Sequence, residues 1–192
     1  MALVDISKLA PEERHDHAAA IGKPIIDARH VAVKFKVEGG VVEAVKDVSF
    51  QLYRGETIAV VGESGSGKSV TAHSILRLLP YPLARHPSGT IQYAGNELLT
   101  VSEKRMRAIR GNRIAMIFQE PMTSLSPVHT VGRQIMEAVR LHMRLKKSEA
   151  KIHAIRMMER VGIPNAKQRF EQHPHEMSGG LRQRGVIAMA LA

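Results

Sequence analysis

A glycine-rich stretch between an apolar run and a helix-like segment constrains the fold more than any other part of the sequence. It reads Gly62-Glu63-Ser64-Gly65-Ser66-Gly67-Lys68-Ser69, and it lies between the apolar residues 57–61 and residues 70–79. A strand, a loop of the form G-x-x-x-x-G-K-S and a helix follow one another in this way in phosphate-binding loops. The sequence therefore predicts an α/β chain that binds a nucleoside triphosphate.

The residue types of this loop suit a polyphosphate. Glycines allow successive backbone N–H groups to turn inward and form an anion-binding nest, and the following helix adds the positive end of its dipole. Lys68 is expected to reach the β- and γ-phosphates, and the Ser69 hydroxyl is expected to ligate Mg²⁺. The alternative is a glycine-rich turn with a surface lysine, and the flanking strand and helix patterns argue against it.

The net charge of +10 is concentrated in the second half of the chain. Residues 1–100 hold 11 Lys and Arg against 11 Asp and Glu, whereas residues 101–192 hold 17 against 7. A basic half can bind nucleic acid or an anionic membrane surface, or it can form solvated helix faces. Aromatic residues make up only 4% of the chain, so base stacking has little to support it.

Cysteine content and hydropathy limit the location of the protein. The chain has no cysteine, which excludes disulfides and thiolate metal sites. Residues 1–23 form a polar leader that lacks the apolar region of a signal peptide, and we expect it to be disordered. No apolar run approaches the roughly 18 residues that span a bilayer. We therefore expect a soluble chain in the cytoplasm.

Valine-rich runs predict the strands of the first half. Residues 25–37 and 41–52 are rich in valine and isoleucine, and Gly39-Gly40 between them predicts a hairpin. Further strands are predicted at 57–61, 90–93 and 112–118, the first and last of them buried on both faces.

The pattern becomes helical from residue 121 to about residue 177. Val131, Ile135, Val139 and Met143 recur at every fourth position and predict one face of an amphipathic helix. A second helix is predicted from Ser148, a good N-cap, to about residue 161. Methionines in this block are expected to pack in its core.

Two further motifs follow the phosphate loop in a fixed order. They read Ile117-Phe118-Gln119-Glu120-Pro121 and Met177-Ser178-Gly179-Gly180-Leu181-Arg182-Gln183-Arg184. The first resembles the Q-loop and the second the LSGGQ signature of the ATP-binding-cassette (ABC) family. All three motifs in this order are very specific, and the resemblance covers residues 24–192. The sequence of residues 118–127 is similar to that of ATPases in the branch that imports peptides, oligopeptides and microcin C. It is similar in particular to the N-terminal cassette of a double ATPase.

This resemblance implies an α/β fold and a set of site residues. The expected fold is a P-loop NTPase core of ABC type, with an antiparallel β subdomain and an inserted helical subdomain at about residues 121–177. Phe35 would stack on adenine, and Gln119 would act in catalysis by contacting Mg²⁺ and the attacking water. Ser178, Gly179 and Gly180 would reach the γ-phosphate of the ATP held by an opposite cassette. The implied cofactors are ATP and Mg²⁺.

The resemblance also implies partners and a location. An ATPase of this branch couples ATP binding and hydrolysis to the import of peptides or peptide-like compounds. Its partners would be the transmembrane permease subunits, a second cassette in a head-to-tail dimer or fused second half, and indirectly a periplasmic binding protein, but not nucleic acid. It would lie at the cytoplasmic face of the inner (plasma) membrane. The alternatives are a nucleic-acid- or ribosome-associated ABC ATPase and a non-catalytic nucleotide-binding fragment.

Some features depart from the family pattern. Met177 replaces the usual leucine and Leu181 the usual glutamine of the signature, and neither change implies a loss of function. Gly185 weakens its helix by about 1 kcal/mol relative to alanine, for no reason visible in the sequence. No strand ending in Asp-Glu (Walker B) and no switch histidine follow the signature. The expectation is thus a cassette with its C-terminal part missing, a fragment that hydrolyses ATP poorly by itself.

Overall fold

The computed structural model describes residues 22–119 and 124–192. They form two compact units, one ending at Met106 and the other comprising Arg107–Ala192. Most of the predicted leader and residues 120–123, which include the last two residues of the Q-loop motif, lie outside the described residues. No helix in the described part of the chain is long and apolar enough to cross a membrane.

The first unit is built on an antiparallel sheet. Strands β1 (Ile26–Val37) and β2 (Gly40–Leu52) form the predicted hairpin, and β4 (Thr90–Tyr93) pairs with the first residues of β1. Two short strands complete it: β3 (Ala84–Arg85) pairs with β1, and β5 (Asn96–Glu97) pairs with β4. The predicted hairpin and the predicted strand at 90–93 are thus confirmed, and the sheet agrees with the antiparallel β subdomain that the resemblance implies. Its core includes Val31, Val33, Ile91, Leu98 and Met106.

Two helices lie in the described part of this half of the chain. Helix α1 (Lys68–Ile75) follows the glycine loop and contacts β1 and β2. It ends earlier than the helical pattern predicts, so Leu78 lies outside it and is exposed. Helix α2 comprises Glu103–Ile109, so the division between the two units, after Met106, falls within it. At its start, the Ser102 hydroxyl accepts a hydrogen bond from the N–H of Arg105.

Two strand predictions are wrong for this structure. Residues 57–61 and 115–118 have no regular secondary structure, and Ile114 makes only an isolated bridge to Arg110. A strand exists only where a neighbour accepts and donates its backbone hydrogen bonds, and neither run has a sheet neighbour among the described residues. Both runs are consequently more exposed than predicted: Val61 is 86% exposed and Phe118 48%.

The second unit is helical from Val131 onward. Its helices from Val131 onward are α3 (Val131–Met143), α4 (Lys147–Arg160), α5 (Ala166–Arg169) and α6 (Gly179–Leu191), with a 3₁₀ turn at Pro174–Glu176. Helices α3, α4 and α6 contact one another around a common apolar core. Its fully buried members include Val131, Ile135, Val139, Ala154 and Met158.

The predicted apolar face of α3 is correct for three of its four residues. Val131, Ile135 and Val139 are fully buried, but Met143 is 46% exposed because it is the last residue of the helix and lies beyond the packed region. Helix α4 begins at Lys147 rather than after Ser148. The Glu149 carboxylate accepts a hydrogen bond from the Lys146 N–H at 3.0 Å, and this bond fixes the earlier start.

Packing explains the glycine that the sequence left without a reason. A Cβ on Gly185 would lie 3.0 Å from Cγ1 of Val131 and 3.9 Å from Cδ1 of Leu125. Helix α6 thus approaches the start of α3 at a point where a larger residue would be crowded. The helix propensity lost at Gly185 is offset by the packing of two helices.

Candidate functional site

The glycine loop precedes α1 with a backbone that depends on its glycines. Gly65 and Gly67 have φ values of +81° and +89°, in the left-handed region that L residues rarely adopt. Gly67 is the N-cap of α1, and its carbonyl oxygen accepts hydrogen bonds from the N–H of Thr71 at 2.8 Å and from the Thr71 hydroxyl at 3.0 Å. These bonds fix the first turn of the helix, where free N–H groups can face an anion.

Lys68 is folded over this loop. Its Nζ donates to the carbonyl oxygen of Gly62 at 2.8 Å and to that of Glu63 at 2.6 Å, and it lies 3.4 Å from the Ser66 hydroxyl oxygen. The N–H of Ser66 donates to the Glu63 carbonyl oxygen at 3.2 Å. The ammonium is therefore held at the mouth of the loop, in the region where the sequence predicts phosphate oxygens.

Ser69 and Phe35 lie in the same unit as the loop. Ser69 is exposed in the first turn of α1, so its hydroxyl is open to a ligand. Phe35 lies on β1, where it pairs with Val42 of β2 and Ala84 of β3, and its side chain is half-buried. Ser64 is exposed in the loop.

Gln119 lies in the second unit. It is exposed and follows residues 115–118, which have no regular secondary structure, so the predicted strand that would end at this glutamine is absent. The strand context that marked Gln119 in the sequence is thus not found, whereas its accessibility agrees with a role in contacting a ligand.

Gln134 shapes the segment after the Q-loop, although it belongs to none of the motifs found in the sequence. Its Oε1 accepts from the Ser126 N–H at 2.8 Å, and its Nε2 donates to the carbonyl oxygens of Ser126 and His129, both at 3.0 Å. One side chain therefore closes the turn that leads into α3. A glutamine in the first turn of a helix that follows Ser-Pro was the available signal, but its partners could not be read from the sequence.

The signature residues form the N-terminus of α6. Ser178 is the N-cap, and its hydroxyl accepts a hydrogen bond from the Leu181 N–H at 3.4 Å. Gly179 and Gly180 are exposed, and a Cβ on either would meet nothing within 4 Å. The fold gives no steric reason for these two glycines, although glycine has a lower helix propensity than alanine.

Two arginines and a capping carboxylate hold this helix start in place. Arg182 Nε donates to the Met177 carbonyl oxygen at 3.0 Å, and Arg184 donates to the Gly162 carbonyl oxygen at 2.6 Å. In the preceding 3₁₀ turn, Glu176 accepts from the His173 N–H at 2.6 Å, and this backbone bond lowers the pKa of the Glu176 carboxyl. The segment before the signature is therefore ordered by hydrogen bonds that favour an ionised Glu176.

The predicted site residues fall into two groups. The phosphate loop, with Ser69 and Phe35, lies in the first unit, while Gln119 and residues 178–180 lie in the second. Among the described residues, no group of three or more His, Asp or Glu side chains could hold a metal ion by itself.

Comparison with protein families gives one extended match. Residues 45–192 match the family model described as ABC transporter. This match includes the phosphate loop, Gln119 and the signature.

Relatives with curated names are about half identical to the chain. The peptidoglycan transport ATP-binding protein YejF of Agrobacterium fabrum is 53% identical over 88% of this chain and 31% of its own length. The oligopeptide transport ATP-binding protein OppD of Bacillus subtilis is 49% identical over 88% of this chain and 47% of its own length. A probable peptide ABC transporter ATP-binding protein of Sinorhizobium fredii is 54% identical, again over 88% of this chain and over 50% of its own length. The chain therefore spans about a third to a half of these relatives.

Solved structures share the fold. A dimeric ATP-binding cassette in a post-hydrolysis state, bound to ADP and Pi, superposes with a TM-score of 0.76 at 23% identity over 87% of this chain and 69% of that one. A second cassette, from the cbiONQ transporter complex of Clostridium perfringens, gives a TM-score of 0.68 at 22% identity over 88% of this chain and 62% of that one. These matches confirm the predicted ABC-type P-loop fold.

Proposed function

The chain belongs to the ABC transporter family, and from this premise we propose that it is the ATP-binding part of a transporter that imports peptides or peptide-like compounds. The observation that carries the proposal is the glycine loop, with two left-handed glycines before α1 and Lys68 held at its mouth. The cargo class is supported by relatives about half identical to this chain, whose names state oligopeptide or peptide transport.

The loop residues suit a triphosphate. The backbone of residues 62–67, the first turn of α1 and the Lys68 ammonium supply N–H groups and positive charge, which are what phosphate oxygens require. On binding, Lys68 would exchange the carbonyl oxygens of Gly62 and Glu63 for phosphate oxygens. Phe35 would stack on adenine, because a half-buried aromatic ring offers a face to a base.

Mg²⁺ suits the same proposal. Mg²⁺ is commonly held by one or two protein oxygens together with substrate phosphates and water, so the absence of a larger ligand cluster in the described part of the chain does not oppose it. Ser69 would supply its hydroxyl and Gln119 its amide oxygen. The ion would neutralise charge on the phosphates.

The signature would complete a site on a second cassette. Gly179 and Gly180 leave the N-terminus of α6 open, which lets a phosphate approach its backbone N–H groups. A head-to-tail pair of cassettes would then enclose two ATP molecules. Closure of that pair would drive the permease, and the chain would lie at the cytoplasmic face of the membrane.

Ligand-dependent stability tests the nucleotide site. The chain is melted with and without Mg·ATP, and binding to the folded state must raise the melting temperature. Lys68→Ala should abolish this increase, whereas Lys104→Ala, which removes an exposed lysine on α2, should leave it intact. An equal increase in the wild type and in Lys68→Ala would refute binding at this loop.

Co-purification tests the transport role separately. The full-length protein is expected to co-purify with a membrane permease when the two are produced together. Salt-sensitive retention on DNA or RNA, without association with a permease, would instead favour an ABC ATPase that acts on nucleic acid. This experiment can fail while the ATP-dependent increase in stability remains.

A further inference from the structure

The connection between α3 and α4 combines exposed apolar and basic side chains. Helix α3 ends at Met143, Arg144 turns the chain in the left-handed conformation (φ +55°), and α4 begins at Lys147. Leu141 is 73% exposed and Met143 46% exposed at this turn. We call residues 140–147 the basic tip.

All four cations of the basic tip are exposed. These are Arg140, Arg144, Lys146 and Lys147, and residues 140–147 include no Asp or Glu. Within the described residues, none of the four makes an ion pair or a side-chain hydrogen bond to a carboxylate. The nearest acid in sequence, Glu149, is already used, because it accepts the backbone N–H of Lys146. The tip thus carries four cations and no acid of its own, and Glu137 and Glu149 flank it in the sequence.

Helix stability accounts for only part of this charge. Arg140 and Arg144 lie at the C-terminal end of α3, where a cation interacts favourably with the helix dipole. Lys146 and Lys147 lie at the N-terminal end of α4, where the same dipole disfavours a cation. The dipole of α4 thus opposes the two lysines, and a partner of opposite charge would explain them.

The exposed apolar residues narrow the choice of that partner. Leu141 and Met143 lie among the cations in the sequence of residues 140–147, and exposed apolar residues next to cations are typical of segments at the boundary between headgroups and acyl chains. Nucleic acid would use the cations but would leave Leu141 in water. Residues 140–161 also include no Phe, Tyr or Trp on which bases could stack.

We propose that the basic tip binds the headgroup region of an anionic phospholipid bilayer. Arg140, Arg144, Lys146 and Lys147 would lie near the lipid phosphates, and Leu141 would enter the apolar boundary. This contact is additional to any contact with a permease, and it does not require ATP.

Vesicle flotation of the complete chain tests this proposal. Binding is expected to vesicles of phosphatidylcholine mixed with phosphatidylglycerol, to be weak with phosphatidylcholine alone, and to fall as salt is added. The double variant Lys146→Gln/Lys147→Gln should reduce partitioning about tenfold or more, since each cation near an anionic surface contributes on the order of 1 kcal/mol.

Two further variants distinguish binding through the basic tip from an effect of positive charge elsewhere on the surface. Lys104→Gln/Arg105→Gln removes the same charge from exposed positions on α2 and should bind vesicles like the wild type. Leu141→Gln should weaken binding while the salt dependence remains. Circular dichroism checks that each variant is folded, which is expected because the altered side chains are exposed.

Three results would overturn the proposal. The first is equal binding to neutral and anionic vesicles, and the second is an equal loss in the α2 control. The third is retention on RNA that the Lys146→Gln/Lys147→Gln variant abolishes while its vesicle binding is unchanged. That last result would assign the tip to nucleic acid.

Discussion

Gly67 lies so close to Ala44 that a Cβ on Gly67 would stand 2.6 Å from the Ala44 carbonyl oxygen. Cγ2 of Val45 would be 3.0 Å away. Strand β2 thus forms a wall against the last glycine of the phosphate loop, and the loop can keep its path only if that residue has no side chain. The motif requires glycine at position 67, and the closeness of β2 is the steric cause of that requirement.

Alanine at Gly67 is therefore expected to disrupt the loop. Gly67→Ala combines a clash with backbone and a left-handed φ of +89°, and we expect it to lower the free energy of unfolding by about 3 kcal/mol. Gly65→Ala is the matched control, because its φ is +81° but a Cβ there meets nothing within 4 Å. It should cost only the left-handed strain, about 1 kcal/mol. Urea unfolding measures both, and equal losses would contradict the steric argument.

A second glycine is expected to be essential to the helical unit. A Cβ on Gly132 would lie 2.2 Å from atoms of the Phe170 ring and 2.6 Å from the Phe170 carbonyl oxygen. That carbonyl accepts the Gly132 N–H at 3.1 Å, so the two backbones cannot separate without losing this bond. We expect Gly132→Ala to destabilise the unit by about 3 kcal/mol or more, measured by thermal or urea unfolding.

Gly180→Ala provides the control for that measurement. Gly180 is also helical, and a Cβ there meets nothing within 4 Å. Alanine should leave stability unchanged or raise it by up to about 1 kcal/mol. A large loss at Gly180 would mean that its surroundings are more crowded than the structure indicates.

The same open space at the signature leads to a functional prediction. Because Gly179 and Gly180 are not needed for folding, alanine at Gly179 should preserve both stability and ATP binding at the phosphate loop. If these glycines serve the approach of a phosphate from a second cassette, Gly179→Ala should lower the ATPase rate of the assembled transporter by about tenfold or more, equivalent to roughly 1.4 kcal/mol. Unchanged turnover would argue against the composite site.

Most of the structural predictions that proved correct depended on residues that are close together in the sequence. The hairpin at Gly39-Gly40, strand Thr90–Tyr93 and the buried face of α3 each depend on residues close in the chain. The phosphate loop belongs only partly to this class: Lys68 acts through the nearby residues Gly62 and Glu63, whereas the steric requirement at Gly67 comes from Ala44 on β2.

Predictions that needed distant neighbours failed or were not possible. Residues 57–61 have the composition of a buried strand, but a strand forms only with a hydrogen-bonded partner, and the described residues provide none. The reason for Gly185 lies in Val131, more than fifty residues earlier, and Gln134 acts through backbone atoms whose positions depend on the turn itself. Contacts of this kind cannot be predicted from the periodicity of apolar residues in the sequence.

His86 is expected to make the stability of the first unit depend on pH. Its Nδ1 lies 3.3 Å from the Tyr81 hydroxyl, the two rings are stacked, and its Nε2 is buried with no hydrogen-bond partner in the described part of the chain. Burial lowers the pKa of His86, and the nearby Arg77 charge lowers it further, so the folded protein resists a proton that the unfolded chain accepts.

The direction of the pH dependence follows from the difference between the pKa of His86 in the folded and unfolded states. Stability is full above the unfolded-state pKa, about 6.5, and decreases as the pH falls toward the lower pKa of the folded state, with a slope approaching about 1.4 kcal/mol per pH unit. His86→Gln keeps a polar side chain but removes the titration, so it should flatten this decrease in urea unfolding measured between about pH 7.5 and pH 5.5. His153→Gln, on α4 of the other unit, should leave the decrease unchanged. If the wild type and His86→Gln lose stability equally over this range, the buried imidazole is not its source.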